Sequence, residues 1–269
     1  MDYMVVKGQA LQMRKQVCSH LLCCITFIIS SFYLSSGFAE ETNFSRDVVA
    51  AIDDGIDWLD SANVFSNPAS LSEANRNALG LAALAIMERR VSADQNAAPT
   101  GYDNATPPDQ QKIQSLMTYI INRATGASFY AYRDGGDLMA ISLYVRTGGP
   151  SSASAITAIN SIFDRVNNNQ GAFGFWNYRG PGNDSSTTQL VVAGLAGARA
   201  VFSDPRFSDP IRLGQLNTLT ANAANAYANG STAGNLANDG SGLGIVRLIN
   251  QVINKPLPDF GHKLLVDMI

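Results

Sequence analysis

The chain has 269 residues, of which 46% are hydrophobic and 15% are charged, and its formal net charge is −3. This composition is typical of a folded globular protein and excludes a disordered or collagen-like chain. The excess of acidic residues also excludes a nucleic-acid binder, because neutralising phosphates takes a surplus of lysine and arginine.

Residues 1–39 are predicted to be a signal peptide. Three basic residues precede an uncharged run over 16–39, and Gly37 and Ala39 are small residues at the −3 and −1 positions of a signal-peptidase site. Cleavage after Ala39 would leave a periplasmic or secreted chain of about 230 residues. The alternative is a membrane anchor retained over 16–39. Translation could start at Met1 or at Met13, and a start at Met13 gives a basic region of more typical length.

The predicted signal contains all three cysteines of the chain, Cys18, Cys23 and Cys24. The mature chain is therefore expected to have no disulfide partner, no thiolate nucleophile and no cysteine ligand for zinc. Of the two histidines, only His262 lies outside the signal, so neither a metal site nor a cofactor is predicted. The signal carries three cations and one carboxylate, so its removal changes the net charge to −5.

Apolar residues three and four positions apart recur over 40–253 and predict an all-α repeat domain. In helix one they form a face that we expect to be buried, and its residues are Val48, Ile52, Ile56 and Leu59. Eight helices are expected, over 45–62, 70–90, a stretch that follows Pro108, 137–146, a stretch from Ser151 or Ser152 onwards, 186–202, 209–228 and 242–253.

Small residues are concentrated in the second, fourth and sixth predicted helices. Gly80, Gly194 and Gly197 lie inside these helices, where each glycine costs about 1 kcal/mol relative to alanine. Because small residues let neighbouring helices approach closely, we predict stacked helical hairpins in which one member of each pair lies deeper. Residues 254–269 show no capping pattern and are predicted to be an irregular, aberrant tail, so the array is expected to be truncated and to end in an exposed apolar edge at the eighth helix.

Two connections between predicted helices share a pattern of aromatic residue, any residue, tyrosine and arginine, 46 residues apart. Arginine beside exposed aromatic rings can bind carboxylates or stack on sugars. The alternative is that these side chains pack within the loops as a structural feature of the repeat. The candidate ligand-binding residues are Tyr130, Tyr132, Arg133, Trp176, Tyr178 and Arg179.

The second connection also contains a family motif. Gln170, Gly174 and Trp176 match the Q-x3-G-x-W core of the QW motif, so the chain resembles the squalene cyclase and prenyltransferase repeat superfamily over roughly 46–205. Arg165 stands where the longer form of the motif has an aromatic residue. The resemblance implies an α/α toroid-like array of helical hairpins, here incomplete with about eight helices. It also implies that Gln170 and Trp176 are structural, with the glutamine bonded to a helix end and the tryptophan stacked on it.

The catalytic groups of the resembled families are not found in the sequence. The chain has no D-x-D-D motif of the triterpene cyclases, and the mature chain lacks the cysteine that protein prenyltransferases and thioester proteins need. The segment 53–57 spells D-D-x-x-D, with which class I terpene synthases hold magnesium. We interpret it as an exposed acidic face of helix one.

These patterns favour an exported squalene cyclase/prenyltransferase-repeat-like protein that serves as a non-catalytic binding or structural module. The alternative is an enzyme of the same fold, either terpene cyclase-like or a polysaccharide lyase or glycosidase. In a lyase, Tyr178 or Tyr132 would transfer the proton, Arg179 or Arg133 would hold the uronate, and Asn177 would neutralise its carboxylate. The partner stays open between a glycan and a hydrophobic ligand.

Overall fold

The computed structural model describes residues 41–90, 92–94 and 97–229. The elements below all lie in one compact unit, Thr42–Ala93 with Ala97–Ile269; of a second unit, Met1–Glu41 with Asp94–Asn96, only Glu41 and Asp94 are described. The predicted signal, its cysteines, the eighth predicted helix over 242–253 with its apolar edge, and the predicted tail over 254–269 lie outside the described residues.

The prediction of an all-α fold is confirmed. Eight α-helices and one short hairpin make up the described part of the chain. They are α1 (Asn43–Ser61), α2 (Glu73–Asn77), α3 (Leu79–Met87), α4 (Pro107–Ala124), α5 (Ala131–Arg146), α6 (Ser152–Asn168), β1 (Trp176–Asn177), β2 (Gly180–Pro181), α7 (Ser185–Phe202) and α8 (Pro210–Asn229), with a 3-10 turn at Pro68–Ser70.

The helices pack in two layers. The first layer contains α3, α5 and α7, and the second contains α4, α6 and α8; each helix also packs against a partner in the other layer. Helices α5 and α7 are buried on almost every side, whereas α4 and α6 bury one face. Small residues therefore mark the more buried helix in the pairs α4–α5 and α6–α7.

Two predicted helices differ from the observed ones. The helix expected over 70–90 is broken at Ala78 into α2 and α3, and Ser72 caps α2 in place of Ser70. Helix α5 begins at Ala131, six residues before the predicted start at Asp137. Gly135 and Gly136 lie inside α5 and not in a connection before it. A Cβ at Gly135 would lie 2.4 Å from the Leu190 carbonyl oxygen, whereas a Cβ at Gly136 would make only ordinary van der Waals contacts.

The apolar face predicted on helix one is buried only in part. Ile56 is buried and Leu59 packs against the core, whereas Val48 and Ile52 are exposed. The acidic face expected to be solvated is instead partly engaged, because Asp53 pairs with Arg89 of the segment after α3. Since α1 packs mainly on α3, only a narrow side of it is covered.

The two tryptophans of the chain provide a test of which side chains the fold buries. Trp58 on α1 is 68% exposed and Trp176 on β1 is 0% exposed. We expect Trp58→Phe to leave a single emitter with a blue-shifted fluorescence maximum that iodide hardly quenches, because its indole is shielded from water. Strong iodide quenching of this variant in its folded state would contradict the burial of Trp176.

Candidate functional site

The tyrosines of the two predicted connections meet at one surface, although the connections differ in structure. Tyr130 is the N-cap residue of α5 and Tyr132 lies in the first turn of that helix. Tyr178 and Arg179 form the two-residue turn of the β1–β2 hairpin. The hairpin tip lies on the start of α5, because the Ala131 amide donates a hydrogen bond of 3.0 Å to the Tyr178 carbonyl oxygen.

The three rings contact one another. The Tyr132 and Tyr178 ring centroids are 5.4 Å apart, and each lies 6.4 Å from the Tyr130 centroid, with tilted ring planes. The Arg179 guanidinium carbon lies 5.3 Å from the Tyr130 centroid, within the range of a cation–π contact. We call Tyr130, Tyr132, Tyr178 and Arg179 the tyrosine cluster. Tyr178 is 42% exposed, so the cluster presents an aromatic surface to solvent.

A chain of hydrogen bonds connects this surface to the N-terminus of α7. The Tyr178 ring lies against Tyr132, the Tyr132 hydroxyl donates to Ser186 Oγ at 2.8 Å, and Ser186 donates to Asp184 Oδ1 at 2.7 Å. Asp184 is the N-cap of α7 and accepts from the Thr187 amide at 2.9 Å. The Tyr132 hydroxyl is therefore connected to the cap of α7.

The neighbouring groups at this surface shift the pKa values of Tyr178 and Asp184. The hydrogen bond to Tyr132 and the nearby Asp184 charge raise the pKa of Tyr178, because both favour the neutral phenol. Burial acts to raise the pKa of Asp184, but the hydrogen bonds from Ser186 and Thr187 prevail and hold it below its usual range. At neutral pH the surface therefore presents a protonated phenol beside a carboxylate whose acceptor oxygens are partly occupied.

Arg179 and Arg133 occupy equivalent positions in the sequence pattern but different environments. The Arg179 side chain is 71% exposed, and its charged partner is Glu73 at the start of α2, at 3.9 Å. The Arg133 side chain is 13% exposed and donates to Asp134 at 2.9 and 3.0 Å and to the Ser128 carbonyl oxygen. The structure therefore places Arg133 in a buried ion pair and Arg179 at the surface.

Trp176 lies beneath the cluster and is completely buried. Its indole N–H donates to the Val166 carbonyl oxygen near the end of α6 at 2.9 Å. The Gln170 amide donates to the Gly174 and Leu219 carbonyl oxygens at 3.0 and 2.9 Å. These contacts connect the loop before β1 to α6 and α8.

Gly174 is required by the path of this loop. Its φ of +86° is in the left-handed region, and a Cβ there would lie 2.4 Å from the Asn222 carbonyl oxygen. Asn177, the residue named for carboxylate neutralisation in a lyase, uses its side-chain oxygen to accept from the Tyr178 amide at 2.7 Å. Its side chain therefore stabilises the hairpin turn.

Three residues at this surface were not among the sequence candidates: Glu73, Asp184 and Ser186. The Asp184-to-Thr187 spacing is a helix-capping signal that could have indicated Asp184 and its neighbour. Glu73 lies in a distant segment of the chain, at the start of α2, and only the tertiary structure brings it close to Arg179.

A separate cavity of about 350 Å³ lies beside α1 and the segment that follows α3, and the tyrosines do not line it. Its lining includes Asp53 of the D-D-x-x-D segment, Arg89 and Arg90. Arg89 bridges Asp53 at 3.2 Å and Asp109 at 2.9 Å. Within residues 41–90, 92–94 and 97–229, no group of three or more histidine, cysteine or acidic side chains could hold a metal ion.

Comparison of the chain with protein-family models, curated proteins and solved structures found no match. In the described part of the chain, no helix is both long enough and apolar enough to cross a membrane.

Proposed function

We propose that this chain is an exported, non-catalytic binding module with an incomplete α/α toroid-like architecture, and that its tyrosine cluster binds a glycan. The signal over 1–39 and the likeness of Gln170, Gly174 and Trp176 to the QW motif support the first part of the proposal. The observation that carries the second part is the convergence of three tyrosine rings and an exposed arginine on one surface.

The geometry of the cluster suits a sugar. The C–H face of a pyranose ring packs on an aromatic ring, while the guanidinium donates hydrogen bonds to its oxygens and the phenol oxygens accept from its hydroxyls. Ser186 and Asp184 hold the Tyr132 hydroxyl in place, so part of the ordering cost is already met before the ligand binds. A purely hydrophobic ligand would leave this polar edge without partners.

The protonation of the cluster favours binding over catalysis. A lyase that used Tyr178 as its base would need the phenolate, but a phenol is ordinarily neutral near pH 7 and the raised pKa of Tyr178 disfavours the phenolate further. The Asp184 carboxylate is in turn engaged as the helix cap of α7. Both groups are thus suited to orienting a ligand.

The proposal is tested by titrating the purified chain with neutral and acidic hexasaccharides and measuring heats of binding. We expect Tyr178→Ala to weaken binding at least tenfold, about 1.4 kcal/mol, because the exposed ring supplies the stacking surface. Phe44→Ala is the matched control, since Phe44 is a 72% exposed aromatic residue on α1. Absence of binding to every hexasaccharide, or equal loss in both variants, would contradict the proposal.

A further inference from the structure

The charged side chains of the tyrosine cluster indicate the chemical class of its ligand, in addition to the stacking of a sugar ring on tyrosine. Two guanidiniums that pair with Asp134 of α5 are engaged by buried groups: Arg133 donates to Asp134, and Arg165 donates to Asp134 and to the Ala124 carbonyl oxygen. Arg179 differs, because its side chain is 71% exposed and its ion pair with Glu73 spans 3.9 Å. Its hydrogen-bonding groups therefore point to a surface where a ligand can reach them.

The contact with Glu73 is loose on both sides. Glu73 is itself 72% exposed, and a pair of this length is longer than a charge-assisted hydrogen bond, which spans about 2.7–2.9 Å. Exposed pairs of this kind contribute little to stability. A carboxylate held in place by a sugar ring stacked on Tyr178 could pair with Arg179 at shorter distance and in the two-pronged geometry that guanidinium favours.

The carboxylates at the two helix ends beside the cluster are already engaged. The first turns of α5 and α7 begin at the cluster, and each N-terminal end, which carries a partial positive charge, holds a carboxylate: Asp134 accepts from the Tyr130 amide and Asp184 from the Thr187 amide. Asp184 is the one carboxylate at the start of α7 in the described chain, and its oxygens accept from Ser186 and Thr187. Its charge is thus engaged with the helix end, and Glu73 is left as the carboxylate that faces Arg179.

We infer that the cluster selects an acidic glycan, whose uronate carboxylate pairs with Arg179 and displaces Glu73. This inference rests on the proposed glycan-binding function and names its ligand class. Glu73 acts as an internal competitor: it occupies Arg179 when no ligand is bound, so a ligand without a carboxylate gains nothing from displacing it.

The test compares a galacturonic acid hexamer with the same hexamer after reduction of its carboxylates to alcohols. We expect the full chain to bind the acidic hexamer at least fivefold more tightly than the reduced one. Arg179→Gln should abolish this preference and leave binding of the reduced hexamer within about twofold. Glu73→Gln should tighten binding of the acidic hexamer about threefold and leave the reduced hexamer unchanged.

Asp54→Asn is the matched control for Glu73→Gln, since Asp54 is an exposed carboxylate on α1 and its loss changes the net charge equally. Equal tightening by both variants would show a general charge effect and overturn the role of Glu73. Equal affinity of the two hexamers, with Tyr178→Ala still weakening both, would overturn acid selection while glycan binding stands. No binding of either hexamer by the full chain would overturn acid selection, and no binding of the neutral hexasaccharides as well would overturn the glycan-binding proposal.

Discussion

Replacing Asp134 by alanine is expected to lower the free energy of unfolding by about 3–5 kcal/mol, because it leaves buried cations without their counter-charge. Asp134 is 0% exposed and pairs with Arg133 at 2.9 Å and Arg165 at 3.2 Å. It also accepts from the Tyr130 amide at 3.2 Å, so the loss reaches the start of α5. Urea denaturation followed by circular dichroism measures the change.

The matched control for this substitution is Asp164→Ala. Asp164 pairs with Arg212 at 3.1 Å, but its side chain is 52% exposed, and such pairs contribute at most about 1 kcal/mol. A similar loss of stability in the two variants would show that burial does not govern the strength of these ion pairs. The interpretation of Arg133 and Asp134 as a buried structural pair would then be wrong.

Gly135→Ala is expected to destabilise the protein by about 2–4 kcal/mol, although alanine is the better helix former by about 1 kcal/mol. A Cβ at Gly135 in α5 would lie 2.4 Å from the Leu190 carbonyl oxygen of α7, so the two helices would have to separate. Since α5 and α7 make the most extensive contact among the described helices, this separation would disturb the centre of the packed layers.

Gly55→Ala is the opposite case and serves as the control. Gly55 also lies inside a helix, but no heavy atom is within 4 Å of the position of its Cβ. Alanine there is expected to stabilise the protein by up to about 1 kcal/mol, because it reduces the freedom of the unfolded chain. Stability changes of the same sign in the two variants would contradict the close approach of α5 and α7.

Much of the fold was predictable because apolar spacing is a local signal. Ile113, Leu116 and Met117 of α4 and Ile159 and Ile162 of α6 follow the spacing of three and four positions, and all are buried. Gly135 shows where local reasoning fails. A glycine pair in a sequence suggests a turn, but Gly135 lies in a helix and is in close contact with Leu190 of α7, 55 residues later in the chain.

The candidate site was predictable only in its parts. The repeated tyrosines and arginines were found from their spacing, and the structure brings Tyr130, Tyr132 and Tyr178 together. The same spacing gave no means of separating Arg133 from Arg179. That difference arises from Asp134, a buried residue of α5 that pairs with Arg133 and Arg165 but not with Arg179.

By itself the sequence determined the class of the protein: an acidic, helical chain with a predicted export signal and no cysteine or histidine chemistry in its predicted helices. Composition and periodicity are sufficient for these conclusions because they depend on neighbouring residues. The tertiary structure decided which polar side chains are available. Asp134 and Arg133 neutralise each other in the core, whereas Arg179 meets Glu73 in solvent, and only distances between remote segments determine which charges a ligand can reach.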